Sequence, residues 1–257
     1  MILIFGSSGT VGSEVVRQLE AAGAQFRRAN REAPDFSGVD KVFLLSPSDA
    51  DAELKLVEQA KRAGVKHIVK LSVYGAAEEG FTFAKIHRRV EKAIEDSGMS
   101  WTFLRANGFM QNMANYNGAT IQEQGAFYGS AGAGRISHVD VRDIAACAVA
   151  ALTQPGHENK AYTITGPEAL TYDEVASKLS AAAGRDVKYV DLAPDQHRGG
   201  MIAAGVPAQY AEALLDLNRH YRENQMSSVT SDVKEVTGRD PIPFDQYARD
   251  HADAFRA

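Results

Sequence analysis

Cysteine is almost missing from this chain. Cys147 stands alone among 257 residues, which excludes an intrachain disulfide. Its surroundings, Asp143-Ile144-Ala145-Ala146-Cys147-Ala148-Val149-Ala150-Ala151-Leu152, read as a buried helix in which a thiol packs rather than attacks. No apolar run approaches the roughly 20 residues of a membrane helix. No secretory signal precedes the first strand, so the expectation is a cytoplasmic protein that begins folding at residue 1 and meets no membrane. A basic excess is lacking as well. Lys and Arg number 28 against 33 Asp and Glu, a formal charge of −5 that argues against a nucleic-acid surface. The histidines (His67, His87, His138, His157, His197, His220 and His251) never fall in H-E-x-x-H or another close metal spacing, and no G-x-S-x-G elbow occurs. No metal is expected, and hydrolase chemistry of either kind is set aside.

Glycine, by contrast, is placed with purpose at the start. The apolar run Met1 to Phe5 leads into Gly6-Ser7-Ser8-Gly9-Thr10-Val11-Gly12, followed by Val15, Leu19 and Ala22 at helical spacing and Gly23 as a helix stop. Strand, glycine turn and helix in this order suit a dinucleotide: one glycine turns the chain, one admits the pyrophosphate, and one brings helix and strand together. The helix N-terminus then offers N–H groups to the phosphates. The spacing is G-x-x-G-x-x-G, and Gly6, Ser8, Gly9, Thr10, Val11 and Gly12 are the expected cofactor contacts. Strand and helix patterns alternate onward: strands at 24–29, 41–46, 65–72, 101–105 and 161–165, helices at 51–63, about 83–97, around Ala145 and from a capping box at Thr171 to Glu174. The fold class is α/β, a Rossmann-like doubly wound parallel sheet. From Pro194 the pattern turns helical, with two helices split by Gly205-Val206-Pro207 and a helical tail from Phe244 to Phe255. The expected division is a Rossmann-like domain over 1–155 and, over 156–257, an extension with a helical substrate lobe.

Several motifs together resemble one family. Gly6 to Gly12, His67-Ile68-Val69-Lys70-Leu71-Ser72, Lys85-Ile86-His87-Arg88-Arg89-Val90-Glu91, Trp101 to Asn112, Asp140 to Ala145 and Tyr162 to Leu170 are similar to the NmrA-like group of atypical short-chain dehydrogenases/reductases. The resemblance covers nearly the whole chain. It implies NAD(P)H binding and roles that range from quinone and triphenylmethane-dye reductases, through reductases of aromatic secondary metabolites that can feed an oxygenation step, to redox sensors that bind cofactor without turnover.

Two departures from the family pattern stand out. Only Glu32 to Lys41 joins the second strand to the next, too short for the strand–helix crossover that relatives place there. The sheet is therefore expected to lack its usual third strand, with Asp35-Phe36 as a substitute acidic-apolar pair beside adenine. The second departure is Phe81, four residues before Lys85, where Tyr-x-x-x-Lys would place the catalytic tyrosine. Lys85 stays the candidate for a ribose or substrate contact, and Tyr74, at a strand end, the candidate proton donor. The strand ends Leu45, Ser46 and Ser72, together with Asn107, complete the expected cofactor contacts. Phe109, Met110 and Met113 are the expected substrate pocket. Arg27, Arg28 and Arg31 cluster where a dehydrogenase reads the ribose. Arg31 matches the family's 2′-phosphate arginine, so NADP(H) is preferred, with NAD(H) kept open by Glu32. A missing acid/base suits a quinone or polycyclic aromatic, whose conjugation spreads the incoming charge. Monomer and homodimer both remain open.

Overall fold

The computed structural model describes residues 1–30, 32–45 and 49–256. Along the chain run β1 (Ile2–Ile4), α1 (Thr10–Ala21), β2 (Phe26–Arg28), β3 (Lys41–Leu44), α2 (Ala50–Arg62), β4 (His67–Val73), α3 (Thr82–Asp96) and β5 (Ser100–Ala106). A π-helical turn (Met113–Asn117), α4 (Gly118–Gln124), β6 (Ala126–Gly129), α5 (Val141–Thr153), β7 (Lys160–Ile164), α6 (Tyr172–Ala183) and β8 (Lys188–Asp191) follow. The remainder is α7 (Pro194–Ala203), α8 (Ala208–Arg222), α9 (Asp232–Thr237), α10 (Phe244–Asp250) and a 3-10 turn (Ala252–Ala254). Among the described residues, no helix is long and apolar enough to cross a membrane.

These elements form two compact units that do not follow chain order. The first takes Met1–Ala106, Val141–Ile164 and Ser231–Asp240; the second takes Asn107–Asp140, Thr165–Thr230 and the chain from Pro241 on. The boundary expected at 155/156 therefore falls inside a segment of the first unit. The reason is packing: α5 lies against α1, β7 extends the sheet beside β5, and α9 returns to cover α5.

The first unit is built on a six-stranded sheet, all parallel, in the order β2-β1-β3-β4-β5-β7. Strands β1, β3 and β4 are buried almost without interruption, as parallel strands covered on both faces must be. Helix α1 buries Val11, Val15, Val16 and Leu19, the stripe its spacing dictates. Leu3, Phe5, Val42, Leu44, Val57, Ile68, Val90, Ile94 and Phe103 belong to one apolar core.

No strand or helix occupies the described residues between β2 and β3, so the sheet ends at β2, as the short crossover requires. That crossover is clasped to the sheet edge. Arg27 donates to Asp35 Oδ2 at 2.8 Å, to the Asp35 carbonyl at 3.2 Å and to the Ser37 carbonyl at 2.6 Å. Phe36 packs on Phe5 with ring centroids 6.1 Å apart. Asp35 and Phe36, expected beside adenine, are thus held by Arg27 of β2 and by Phe5, the residue after β1.

The second unit has a two-stranded parallel sheet, β6 against β8 in the register Ala126↔Lys188 to Gly129↔Asp191, and helices around it. Its core holds Met110, Met113, Ile121, Phe127, Leu170, Val175, Leu179, Phe244, Tyr247 and Phe255. Helix α6 starts on a complete capping box between Thr171 and Glu174. Helix α7 packs on α8 yet buries no residue fully.

Candidate functional site

In the first unit the chemistry starts at the end of β1. Gly6 has φ +68°, and a Cβ there would stand 3.0 Å from the Leu45 carbonyl oxygen. A Cβ on Gly12 would stand 2.0 Å from the Gly6 carbonyl oxygen, so only glycine permits this approach of helix to loop. Gly9 is the N-cap of α1, its N–H donates to the Gly6 carbonyl at 3.0 Å, and no side chain caps the helix. Ser8, Gly9 and Thr10 are exposed, whereas Val11 and Gly12 are buried, so Val11 has only main-chain groups to offer. A tight loop, an uncapped helix start and the absence of side-chain bulk fit a dinucleotide pyrophosphate.

The other expected contacts of this unit are spread over the strand ends and α3. Leu45 is half-buried against Gly6; Ser46 and Arg31 lie outside the described residues. The Ser72 hydroxyl is buried and donates to Glu91 Oε1 at 2.7 Å. Glu91, itself fully buried, also accepts from Arg105 at 3.0 and 2.7 Å and from Arg88 at 3.1 Å. Ser72 is thereby drawn into a structural network that its sequence position does not announce. Tyr74 is half-buried, and its N–H donates to the Ala106 carbonyl at 2.8 Å, fixing it beside the carboxyl end of β5. Lys85 is exposed on the first turn of α3; Phe81, buried, precedes that helix and its carbonyl accepts the Lys85 N–H at 3.0 Å. Of the basic cluster, Arg27 is clasped as above and Arg28 pairs with Glu20 at 3.2 Å.

Sequence reasoning missed a second polar feature here, a buried ion pair between Lys70 and Glu53 at 2.6 Å. His87 lies in its field. Its Nδ1 is buried with no hydrogen-bond partner, and burial, helped by Lys70, holds the imidazole well below the ordinary range. Cys147 is fully buried, and burial pushes its thiol up to about 12, the state of an inert packing group. A cavity of about 500 Å³ opens among Met1, Ile2, Gln25, Lys41 and Leu152, at the amino ends of β1 and β3. Ligands of such sheets bind at the other edge. A smaller groove of about 340 Å³ lies on the first turns of α2, lined by Glu32, Pro34, Asp49, Asp51, Lys55 and Gln59.

The second unit holds the other expected residues. Asn107 is a strut: its Nδ2 donates to Ser137 Oγ at 2.8 Å and to the Met226 carbonyl at 2.9 Å, and its Oδ1 accepts the Gly108 N–H at 2.9 Å. Met110 and Met113 are buried in this unit's core, leaving Phe109, half-buried, as the member of the expected pocket with accessible surface. Around Gly108 stand Tyr221, on the C-terminal helices, and His138, which the sequence did not single out. Among the described residues, no group of His, Cys, Asp and Glu side chains could hold a metal ion.

Comparison with known proteins places this geometry. The chain matches the profile of the NmrA-like family over residues 31–248. It is 40% identical, over all of both chains, to the NAD(P)H azoreductase of Xenophilus azovorans. To quinone oxidoreductase 2 of Escherichia coli it is 32% identical, with 70% of this chain and 64% of that one matched. Two crystal structures superpose closely. The NADPH-dependent quinone oxidoreductase of Escherichia coli does so with a TM-score of 0.83 and 26% identity over 96% of this chain and 98% of that one. The Citrobacter sp. triphenylmethane reductase complexed with NADP(H) does so with a TM-score of 0.82 and 25% identity over 98% and 99%. A glycine loop that only glycine can form, a parallel sheet to carry it and matches along the whole chain lead to one assignment: this chain belongs to the NmrA-like family.

Proposed function

We infer that this chain is an NAD(P)H-dependent reductase of quinone-like or extended aromatic acceptors, with NADP(H) preferred and NAD(H) accepted. The observation that carries the reading is the Gly6–Gly12 loop, closed tightly enough that a methyl group on Gly12 would meet the Gly6 carbonyl oxygen at 2.0 Å. The main chain of that loop would hold the pyrophosphate, Arg31 the 2′-phosphate, and Lys85 the ribose hydroxyls. Bound there, the cofactor would supply a hydride. Phe81, where a tyrosine acid would stand, has no exchangeable proton, which favours acceptors that spread the incoming charge over their own conjugated rings. Tyr74, held at the end of β4, is the proton donor this unit offers. The full-length likeness to an azoreductase supports the acceptor class.

The test is oxidation of NADPH and of NADH, followed by the loss of reduced-nicotinamide absorbance, with naphthoquinones, azo dyes and triphenylmethane dyes as acceptors. The expected outcome is acceptor-dependent oxidation, faster with NADPH. Tight cofactor binding without oxidation for any acceptor would replace this reading with a non-catalytic NADP(H) sensor.

A further inference from the structure

Two polar side chains of the second unit, Tyr221 and His138, meet at one glycine, with Tyr172 packed on the second. A Cβ on Gly108 would stand 3.1 Å from Tyr221 Oη, 3.2 Å from His138 Cδ2 and 3.6 Å from His138 Nε2. Tyr221, on the last turn of α8, is 7% exposed, and its hydroxyl makes no hydrogen bond to a described residue. His138 is 4% exposed and turns its Cδ2–Nε2 edge to Gly108, while its Nδ1, on the other side of the ring, is buried without a hydrogen bond. Tyr172, the first residue of α6, sets its ring 5.7 Å from that of His138, and its hydroxyl is likewise unbonded among the described residues. The neighbourhood does not lack partners in general. Tyr189, 5.1 Å from Tyr172 ring to ring, accepts from the Ala131 N–H at 3.0 Å and donates to Asp191 at 3.0 Å. Asn107 spends both an amide donor and its acceptor oxygen. The Tyr221 hydroxyl is thus a donor beside Gly108 that no described residue uses, available to a ligand.

The chemistry of the gap is specific. Burial pushes the Tyr172 phenol up to about 12 and the Tyr221 phenol up as well, so both remain donors at neutral pH. Burial lowers His138 to about 4; the Ile136 carbonyl faces the ring and offsets part of that, and the imidazole stays neutral. No cation stands in the group, which disfavours an anion. Flat apolar neighbours do: Phe244 lies 6.2 Å from His138 and Phe127 5.6 Å from Tyr172, ring to ring. Gly108 and Tyr172 are half-exposed, so the group is reachable from solvent, and Gly108 lies two residues past the carboxyl end of β5. The complement is a neutral aromatic bearing a hydrogen-bond acceptor conjugated with its rings.

We propose that Tyr221 and His138, flanking Gly108, anchor the aromatic acceptor, with the Tyr221 hydroxyl donating a hydrogen bond to its carbonyl oxygen or azo nitrogen. This rests on the reductase reading for the acceptor's class. The hydrogen bond polarises the acceptor and stabilises the negative charge that a hydride brings to it. A side chain at residue 108 would fill the space between donor and imidazole.

The experiment uses 1,4-naphthoquinone with the full chain and its Tyr221→Phe variant, which keeps the ring. Tyr210→Phe, an exposed tyrosine at the start of the same helix, is the control. Binding to cofactor-free protein is read by calorimetry, and NADPH oxidation gives kcat and KM. Tyr221→Phe is expected to raise the naphthoquinone Kd about tenfold and to lower kcat/KM by at least as much. The NADPH Kd should not move, although a general loss of structure would move it. Gly108→Ala is expected to weaken naphthoquinone alone in the same way. Quinone turnover with unchanged constants in Tyr221→Phe overturns this site and leaves the reductase standing. Tyr221-dependent binding without any NADPH oxidation keeps the site and removes the reductase. Absence of naphthoquinone binding by the unaltered chain overturns the site.

Discussion

A single methyl group separates the Gly6–Gly12 loop from collapse. At Gly12 it would lie 2.0 Å from the Gly6 carbonyl oxygen, and the atoms in its way are main chain, which no rotamer change can clear. Gly12→Ala is therefore expected to weaken NADPH binding at least tenfold and to destabilise the fold by about 1–3 kcal/mol. Fluorescence titration and urea unfolding would check both; unchanged affinity would mean that this loop does not hold the cofactor. Such a residue is legible in a sequence because its role is local: turn, helix start and helix stop lie within a span of about twenty positions. The roles of Ser72 and Asn107 are not legible in the same way. Each finds its hydrogen-bond partners on distant segments, Ser72 on α3 and Asn107 at Ser137 and Met226. The sequence assigns both to a ligand, while the fold also uses both as struts. Met110 and Met113 carry a related lesson, since apolar spacing alone does not separate a pocket wall from a core.

Among the elements, α3 shows what a burial pattern hides. Its spacing predicts the apolar face of Phe83, Ile86, Val90, Ala93 and Ile94; Ile86 and Ala93 are only half-buried, whereas the charged Glu91 is buried beside the others. Arg88 keeps a two-bond pairing with Glu95 at 2.8 and 3.0 Å without Glu91, whereas Arg105 on β5 has Glu91 as its carboxylate. Glu91→Gln should accordingly cost about 3 kcal/mol, much of it from the charge left on Arg105. A chemical-denaturation midpoint measures this, and a variant as stable as the parent would remove the network from the account of how β4, α3 and β5 hold together. The long, periodic elements were readable to within a residue or two. Strands β6 and β8 were not: each has four residues, and their pairing joins positions about sixty apart in the chain. The missing third strand was readable, because ten residues with Pro34 and Gly38 cannot hold a strand and a helix.

For the molecule as a whole, the buried histidines set a pH limit on stability. Burial lowers His67, with help from Lys41, and His138 to about 4, against an ordinary 6.5. Below that ordinary value the unfolded chain takes up protons that the folded chain refuses. Stability is thus fully present above about pH 6.5 and falls as the pH drops towards 4. The loss should reach about 2 kcal/mol for each histidine at pH 5. Carboxylates such as Asp40, held at about 2 chiefly by Lys66, titrate only below that range. Urea unfolding at pH 7.5 and 5.0 reads the difference, and equal midpoints would contradict it. His67→Gln should remove its own share of about 2 kcal/mol and leave that of His138 and His87. The clasped crossover has a consequence of another kind. With no strand beyond it among the described residues, β2 is left as an open edge whose main-chain groups would invite a strand from another molecule. It is only three residues long, two of them arginine, so a neighbouring chain meets charge and soon runs out of strand to pair with. A crossover without a strand of its own thus leaves an edge that is a poor seed for aggregation.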